Sequence, residues 1–190
     1  RNGLADSIIT ICGLSTRPTA APDSLVLRPG ESGRVRFVAG APGTYFYSAV
    51  IGPPDPSAAG AERQTAAGAF VVDPVAGSPP DRVFVINIWS DLVDSLTERN
   101  ALTINGRSFP HTERIETVVG DTVRWRWVNA SLRQHPMHLH GFYYLVDSRG
   151  NALTDSVYAP DARRLVVTEA MQPLTTMAMT WAAARDGNWL

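Results

Sequence analysis

Three of the chain's four histidines lie within six positions, at His135, His138 and His140. Neutral imidazoles are ligands for copper, zinc and iron, so this cluster predicts a transition-metal site. His138 and His140 are separated by one residue, which puts both on the same face of a strand, within reach of one metal or of two adjacent metals. Pro136 disfavours helix at His135, so we expect His135 to enter from a bend and to serve a different site. The alternative is that the three histidines lie in a loop, exposed or hydrogen-bonded, and bind no metal.

Other metal-site classes fit the cluster less well. A cupin would have a glutamate after three or four further residues beyond His140, but Tyr144 and Leu145 stand there and no glutamate occurs between His140 and Glu169. A non-heme iron site would need a carboxylate one residue beyond a histidine, and no histidine of the cluster has one at that spacing. The single cysteine, Cys12, excludes internal disulfide bonds and cysteine-based zinc sites. The missing carboxylates thus weaken the cupin and the iron interpretations, and the single cysteine excludes the cysteine-based sites.

The elements that must position these histidines are predicted to be β-strands. Glycine and proline separate short runs of β-branched and aromatic residues, and no long apolar pattern has the helical period. The residues from 52 to 67 read as an exposed, mobile loop, and 148–151 as a turn. We therefore predict an all-β fold, with strands at 24–27, 33–39, 44–50, 69–72, 83–89, 101–104, 122–128, 138–146, 164–167 and 175–181.

Composition excludes several function classes. The chain has 17 basic and 18 acidic residues, and every basic residue is arginine, so lysine-dependent Schiff-base and P-loop mechanisms are excluded. Arg124 and Arg126 alternate with Trp125 and Trp127, a pattern that could stack nucleobases. The formal net charge of −1 argues against nucleic acid as a partner, so we assign the tryptophans to the core of a half-buried strand.

The string His135-Pro136-Met137-His138-Leu139-His140-Gly141 matches HPxHxHG, a motif in the last cupredoxin domain of the multicopper oxidases, the laccase-like family. Other segments resemble further motifs of that family, and together the matches cover most of the chain. These segments are 102–110, which resembles INGxxxP; 120–129, which resembles GDxVxxxxxN; 42–47, which resembles PGTYWYH; and 68–74, which resembles GxLIVDP.

The resemblance implies a fold and a cofactor. It implies two cupredoxin-like Greek-key β-sandwich units, at 1–76 and 80–190, joined by a linker rich in proline and glycine, with the first and the last unit incomplete. It also implies that His135 binds a type 1 copper, which takes electrons from a reducing substrate. His138 and His140 would bind type 2 and type 3 coppers of the trinuclear cluster that reduces dioxygen to water.

The chain departs from the family pattern at other copper ligands. Two further His-x-His pairs of the family's first domain align with 10–13 and 48–50, which contain no histidine. The family's His-Cys-His string normally follows GNWLF, and this chain ends at 187–190 with Gly-Asn-Trp-Leu. We therefore expect a fragment whose missing ligands come from a neighbouring domain or subunit. Cys12 lacks flanking histidines and cannot replace the cysteine of that string.

By this resemblance the chain is part of a copper-dependent oxidase that couples one-electron oxidation of phenols, aryl amines or metal ions to the reduction of dioxygen. The alternative is a non-catalytic cupredoxin-like module that binds copper or has a structural role. The resemblance implies a periplasmic or secreted protein. No stretch of the sequence approaches the roughly 20 apolar residues of a membrane span, so we expect none.

Several other residues that could bind a metal have structural explanations. Met177 and Met179 alternate on a predicted strand, so we expect them and Met171 to pack in the core rather than to form a thioether site for cuprous ion. We expect His111, which follows Pro110 in a predicted turn, to be a surface residue. Cys12 is small and apolar, and we expect it in the core.

Overall fold

The structure is a computed structural model that describes residues 1–21, 23–52, 65–92 and 98–189. In these ranges it contains β-strands and one short 3-10 turn, Pro160–Ala162. They include no helix that is long and apolar enough to cross a membrane. The all-β prediction is confirmed. The strands are β1 (Ile9–Cys12), β2 (Ser24–Leu27), β3 (Gly43–Ile51), β4 (Thr65–Val72), β5 (Arg82–Leu92), β6 (Glu98–Ile104), β7 (Thr122–Asn129), β8 (His135–His138), β9 (Tyr144–Asn151), β10 (Asp155–Val157), β11 (Arg164–Val166), β12 (Thr168–Met171) and β13 (Thr175–Ala182).

The first sheet has the antiparallel order β2-β1-β3-β4. It corrects the predicted strands in two places. Strand β1 was not predicted, yet it pairs with both β2 and β3. The predicted strand at 33–39 is wrong, because these residues form no ladder and all of them are exposed. Strand β2 lies at the edge of this sheet and pairs through one side, with β1, but the alternating segment 33–39 does not pair with its other side. Most of the predicted loop at 52–67 lies outside the described residues, and its last three residues belong to β4.

The second sheet contains seven strands, in the order β10-β9-β13-β7-β5-β6 with β11 also paired to β9. Strands β5 and β7 run parallel, and the other pairs are antiparallel. The turn predicted at 148–151 is wrong, because these residues belong to β9. The turn follows at Asn151, whose Oδ1 accepts hydrogen bonds from the backbone N–H groups of Leu153 and Thr154.

A separate pair of short strands, β8 and β12, carries the histidine motif. The single strand predicted at 138–146 is wrong in its middle part: β8 ends at His138, a turn follows, and β9 begins at Tyr144, so only the two ends of the prediction lie in strands. Gly141 lies in this turn with φ of +81°, a conformation that interrupts a strand and that glycine adopts without strain. His135, expected in a bend, begins β8.

The main core lies on one face of the second sheet and reaches the β8–β12 pair. Met177 and Met171 are completely buried and Met179 is 3% exposed, so the prediction that the methionines pack in the core is confirmed. Trp125 and Trp127 pack in the same cluster, as predicted from their alternation with arginine. The partly buried Met137 and Leu139 of the histidine motif also contact it, and the motif is therefore anchored on packed apolar side chains.

The two large sheets contact each other. Phe46 of β3 is buried with Val85 of β5 and Val128 of β7. Polar contacts accompany this packing: Thr176 Oγ1 donates a hydrogen bond to the Thr44 carbonyl at 3.0 Å, and Arg126 Nη1 donates one to Thr44 Oγ1 at 2.9 Å. The division into two domains at residues 76–80 stays a prediction.

Candidate metal centre

His135 is held by a buried polar network at the end of β7. Asn129 is completely buried, and its Nδ2 donates hydrogen bonds to the carbonyls of Arg133 and Gln172, at 2.8 Å and 2.9 Å. Its Oδ1 accepts a hydrogen bond from Ser131 Oγ at 2.7 Å. The same Ser131 oxygen lies 2.9 Å from Nε2 of His135. The connection between β7 and β8 is thereby fixed, and with it the imidazole of His135.

His135 and His138 lie on opposite faces of β8. Side chains alternate along a strand, and in β8 His135 and Met137 are half-buried whereas Pro136 and His138 are exposed. His135 therefore lies on the face of Met137, which contacts the main core. His138 lies on the other face. The two imidazoles are oriented in different directions, as expected if they serve different sites.

His138 has a hydrogen-bonding partner on the neighbouring strand. It is directly opposite Thr168 in the antiparallel β8–β12 pair, and its Nδ1 lies 2.6 Å from Thr168 Oγ1. When Nδ1 carries the proton and donates it to Thr168 Oγ1, Nε2 is the unprotonated nitrogen that can bind a metal. Such a partner fixes the tautomer and the ring orientation of a metal-binding histidine.

His140 lies beyond the end of β8, in the turn that reverses the chain. The prediction that it shares a strand with His138 is therefore wrong. The turn nevertheless brings the two rings together, with centroids 4.8 Å apart and planes inclined at 72°. Both side chains are exposed. Two imidazoles at this separation can bind one metal or two neighbouring metals.

Tyr144 and Glu169 stabilise the two short strands, β8 and β12, that carry the motif. Tyr144 is 1% exposed, and its hydroxyl donates a hydrogen bond to the Met137 carbonyl at 2.7 Å. Burial, together with the charge of Glu169, raises the pKa of Tyr144 to about 12, so the hydroxyl keeps its proton. Burial alone would raise the pKa of Glu169, but hydrogen bonds from Arg149 and Arg164 hold it below its ordinary value. Glu169 is thus a charged anchor of β12.

The remaining candidates from the sequence lie apart from this cluster. His111 is exposed, in a turn closed by its own N–H and the Ser108 carbonyl, as predicted. Glu113 follows it at the spacing of an iron site, outside the histidine cluster, but Glu113 pairs with Arg82. Cys12 lies on β1 and is half-buried rather than fully buried as expected. Burial, and secondarily the charge of Asp23, raises the pKa of its thiol.

The residues fit copper in chemical kind and could hold part of a coordination sphere. Imidazole nitrogen is a ligand that copper favours, and the adjoining rings of His138 and His140 offer two such ligands. Within the ranges 1–21, 23–52, 65–92 and 98–189, no three His, Cys, Asp or Glu side chains converge on one point.

Residues that orient the histidines were missed by the sequence analysis. Thr168, Ser131 and Tyr144 carry no motif of their own, and Thr168 is 30 positions from its partner His138. Asn129 did carry a signal, because it ends the segment that resembles GDxVxxxxxN. Its function, to tie together the connection before His135, becomes visible only in the structure.

Comparisons with known proteins agree with this architecture. Residues 81–190, more than half of the chain, match the family model described as multicopper oxidase. A curated relative, the "Probable nitrite reductase-hydroxylamine oxidoreductase fusion protein" of Kuenenia stuttgartiensis, is 25% identical over 185 residues, which is 86% of this chain and 19% of that protein.

Solved structures share the fold. The blue copper oxidase from Nitrosomonas europaea matches 99% of this chain with a TM-score of 0.73 and 17% identity. The multicopper oxidase mgLAC matches 99% with a TM-score of 0.68 and 18% identity. This chain spans 63% of the length of each of them. These similarities confirm the cupredoxin-like β-sandwich fold. The family match, which includes the whole histidine motif, shows that the chain belongs to the multicopper oxidase family.

Proposed function

We propose that this chain carries part of the copper site of an oxidase that takes single electrons from a phenol, an aryl amine or a metal ion and passes them to dioxygen, which is reduced to water. The observation that carries the proposal is the 4.8 Å separation of the His138 and His140 rings within the HPxHxHG string. Membership of the multicopper oxidase family supports copper as the metal, and two imidazoles are suitable ligands for it.

We assign His135 to a type 1 copper and the pair His138 and His140 to the type 2 and type 3 coppers. The opposite orientation of His135 and His138 on β8 supports this division. Copper, when bound, supplies one-electron redox chemistry. The chain's own residues bind and orient: Thr168 holds the ring of His138 through Nδ1, and Ser131 holds the ring of His135 through Nε2.

The remaining copper ligands, in this proposal, come from a neighbouring domain or subunit of the complete protein. A blue type 1 site needs a cysteine thiolate beside two histidines. Cys12 lies in the first sheet, on β1, and has no histidine beside it in the sequence. We therefore expect the 190-residue chain alone to be colourless and inactive as an oxidase even when it is loaded with copper.

The same proposal assigns the chain to two cupredoxin-like units, 1–76 and 80–190, in a periplasmic or secreted protein. The two large sheets support the division, because the first ends at Val72 with β4 and the second begins at Arg82 with β5. The location rests on the resemblance to the multicopper oxidases.

A second candidate function is a copper-binding or structural module without oxidase activity. The observation that favours it is in the first sheet, where the family would carry two His-x-His pairs. Strands β1 and β3 bring Cys12 opposite Ser48 and Thr10 opposite Val50. These four positions are neighbours, as a ligand cluster would require, but none holds a histidine.

Oxygen consumption by the complete, copper-loaded protein separates the two functions. With a phenol, an aryl amine or ferrous ion as the donor, the proposal predicts oxygen uptake that is lost when His138 and His140 are both replaced by alanine and kept in His111→Ala. A complete protein that binds copper at the pair but consumes no oxygen with any of the three donors would establish the second candidate.

A further inference from the structure

Three side chains surround the turn that carries His140. Arg185, which follows β13, donates a hydrogen bond from Nη2 to the Gly141 carbonyl at 2.7 Å. Its guanidinium carbon lies 4.7 Å from the ring centroid of Trp189 and 5.7 Å from that of Phe142. The Phe142 and Trp189 rings in turn meet edge to face, with centroids 5.1 Å apart. We call Arg185, Phe142 and Trp189 the turn clamp.

Trp189 occupies the space where residue 141 would carry a side chain. A Cβ atom at Gly141 would lie 2.6 Å from Cζ3 of Trp189, closer than packed atoms can approach. The indole ring therefore lies directly against the backbone of the turn. Phe142 is 7% exposed and also contacts Trp181, with ring centroids 5.1 Å apart, so the inner side of the clamp is continuous with the main core.

His140 depends on this turn in a way that His138 does not. His138 is the last residue of β8, and both the β8–β12 ladder and Thr168 hold it. His140 follows the end of that ladder. Leu139 on one side of it is held by its N–H, which donates to the Val167 carbonyl at 3.1 Å, and by packing on the main core, and Gly141 on the other side is held by the turn clamp. Fixing the carbonyl and the Cα of Gly141 limits the rotation of the peptide between His140 and Gly141 and hence the direction of the His140 ring.

We infer that Arg185 is a positioning residue for the copper-binding pair, which acts through Gly141 to hold the His140 ring beside that of His138. The inference rests on the proposed function, because it assigns a purpose to the ring pair. Preorganised ligands bind a metal more tightly than ligands that must first be ordered, since that ordering opposes binding. Outer partners of metal ligands typically change metal affinity by about 10-fold to 100-fold when they are replaced.

The variants Arg185→Ala and Arg185→Lys test this role, with Arg82→Ala as the matched control. Arg82 is also a surface arginine with a partner, Glu113, but it lies at the start of β5 and outside the turn clamp. Lysine keeps the charge and can still donate to the Gly141 carbonyl, but it lacks the planar group that stacks on Trp189. Circular dichroism establishes that each variant is folded. Should Arg185→Ala unfold, Arg185→Lys and Trp189→Leu carry the comparison.

Two readouts are needed, one without metal and one with copper(II) alone as the ligand. In the metal-free protein, nuclear Overhauser contacts between the His138 and His140 ring protons should weaken in Arg185→Ala and persist in Arg82→Ala. Copper(II) affinity should fall by about 10-fold or more in Arg185→Ala, fall less in Arg185→Lys and stay unchanged in Arg82→Ala. The electron paramagnetic resonance spectrum of bound copper should broaden in Arg185→Ala as the ligand geometry becomes heterogeneous.

The two hypotheses fail in different ways. If Arg185→Ala keeps both the ring contacts and the copper affinity of Arg82→Ala, the positioning role is overturned while the copper site stands. If the unmodified chain binds no copper at the pair, the proposed function of the pair fails. The positioning role toward a metal then fails with it, even if the metal-free ring contacts depend on Arg185.

Discussion

His138 and Thr168 lie directly opposite each other on β8 and β12, with Nδ1 of the histidine 2.6 Å from Oγ1 of the threonine. Through this contact the pairing of the two strands determines how the His138 ring is oriented in the candidate site. The strand pair sets the distance between the two side chains, and the hydrogen bond sets which ring nitrogen remains to bind a metal. The strand pair itself is held by Tyr144, whose hydroxyl donates to the Met137 carbonyl.

Replacing Thr168 with valine, which has a similar shape but no hydroxyl, should lower copper affinity by about 10-fold, because the ring and tautomer of His138 are no longer fixed. Isothermal titration with copper(II) measures the effect. Thr168→Ser should retain most of the affinity. Thr122→Val, at an exposed position that begins β7, is the control and should bind copper as the unmodified chain does. Equal affinity in Thr168→Val and Thr122→Val would contradict the role of Thr168.

Replacing Gly141 with alanine should destabilise the fold by more than about 1 kcal/mol, since an L residue is strained at φ of +81° and its Cβ would collide with Trp189. Gly77 is a close control, because it has the same φ of +81° and nothing within 4 Å of the added Cβ. Urea unfolding should show a larger loss in Gly141→Ala than in Gly77→Ala. Equal losses would mean that the indole contact contributes nothing.

Replacing Tyr144 with phenylalanine should lower the free energy of unfolding by about 1 kcal/mol, because the Met137 carbonyl loses the hydrogen bond that the buried tyrosine donates. The neighbouring Tyr143 is 64% exposed and provides the control. Urea unfolding should place Tyr143→Phe within about 0.5 kcal/mol of the unmodified chain, as expected for a surface substitution. Equal effects of the two substitutions would show that the Tyr144 hydroxyl does not support β8.

Asp155 lies at the contact between the two large sheets, where its carboxylate accepts a hydrogen bond from the Thr44 N–H. Its titration makes the stability of the fold depend on pH. Burial raises the pKa of its carboxyl above the ordinary 3.8, although hydrogen bonds from Thr44 and Ser148 act in the opposite direction. A raised pKa in the folded state means that the contribution of Asp155 is fully present below 3.8 and is lost as the pH rises through the folded-state pKa. Glu169, whose pKa is lowered, contributes in the opposite sense: its stabilisation is present above 4.5 and is lost as the pH falls through the folded-state pKa.

The variant Asp155→Asn isolates the first of these effects. Urea unfolding from about pH 3 to about pH 7 should show that the variant gains stability relative to the unmodified chain as the pH rises, because asparagine does not ionise. Glu169→Gln should show the reverse, with a loss that grows as the pH rises. A difference between Asp155→Asn and the unmodified chain that is the same at every pH would contradict the raised pKa.

The sequence predicted the parts of the fold that depend on local pattern. The alternation of Trp125 and Trp127 with arginines predicted a half-buried strand, and the spacing of Met177 and Met179 predicted core positions, because period-two alternation and burial are coupled in a strand. The predicted strand at 33–39 had the same kind of pattern, but these residues form no ladder and are exposed, although β2 has an unpaired edge. A period-two pattern therefore indicates that a segment can pair, not that it does.

The candidate site was predictable to a similar extent. The closeness of His138 and His140 followed from their separation by one residue, but the turn at Gly141 that produces it was not predicted. Thr168 and Arg185 lie 30 and 44 positions from the residues they contact in the motif, His138 and Gly141. Contacts over such separations depend on strand pairing and on where the chain returns after β13, and no local pattern in one sequence encodes them.

The most direct test of the account is copper binding by the histidine pair. The 190-residue chain, in which His138, His140 or both are replaced by alanine, should be titrated with copper(II) and followed by calorimetry and electron paramagnetic resonance, with His111→Ala as the control. The account predicts that the double replacement removes most of the binding and that His111→Ala binds as the unmodified chain does. Copper uptake by the double variant that equals that of the unmodified chain would contradict the assignment of His138 and His140 as copper ligands.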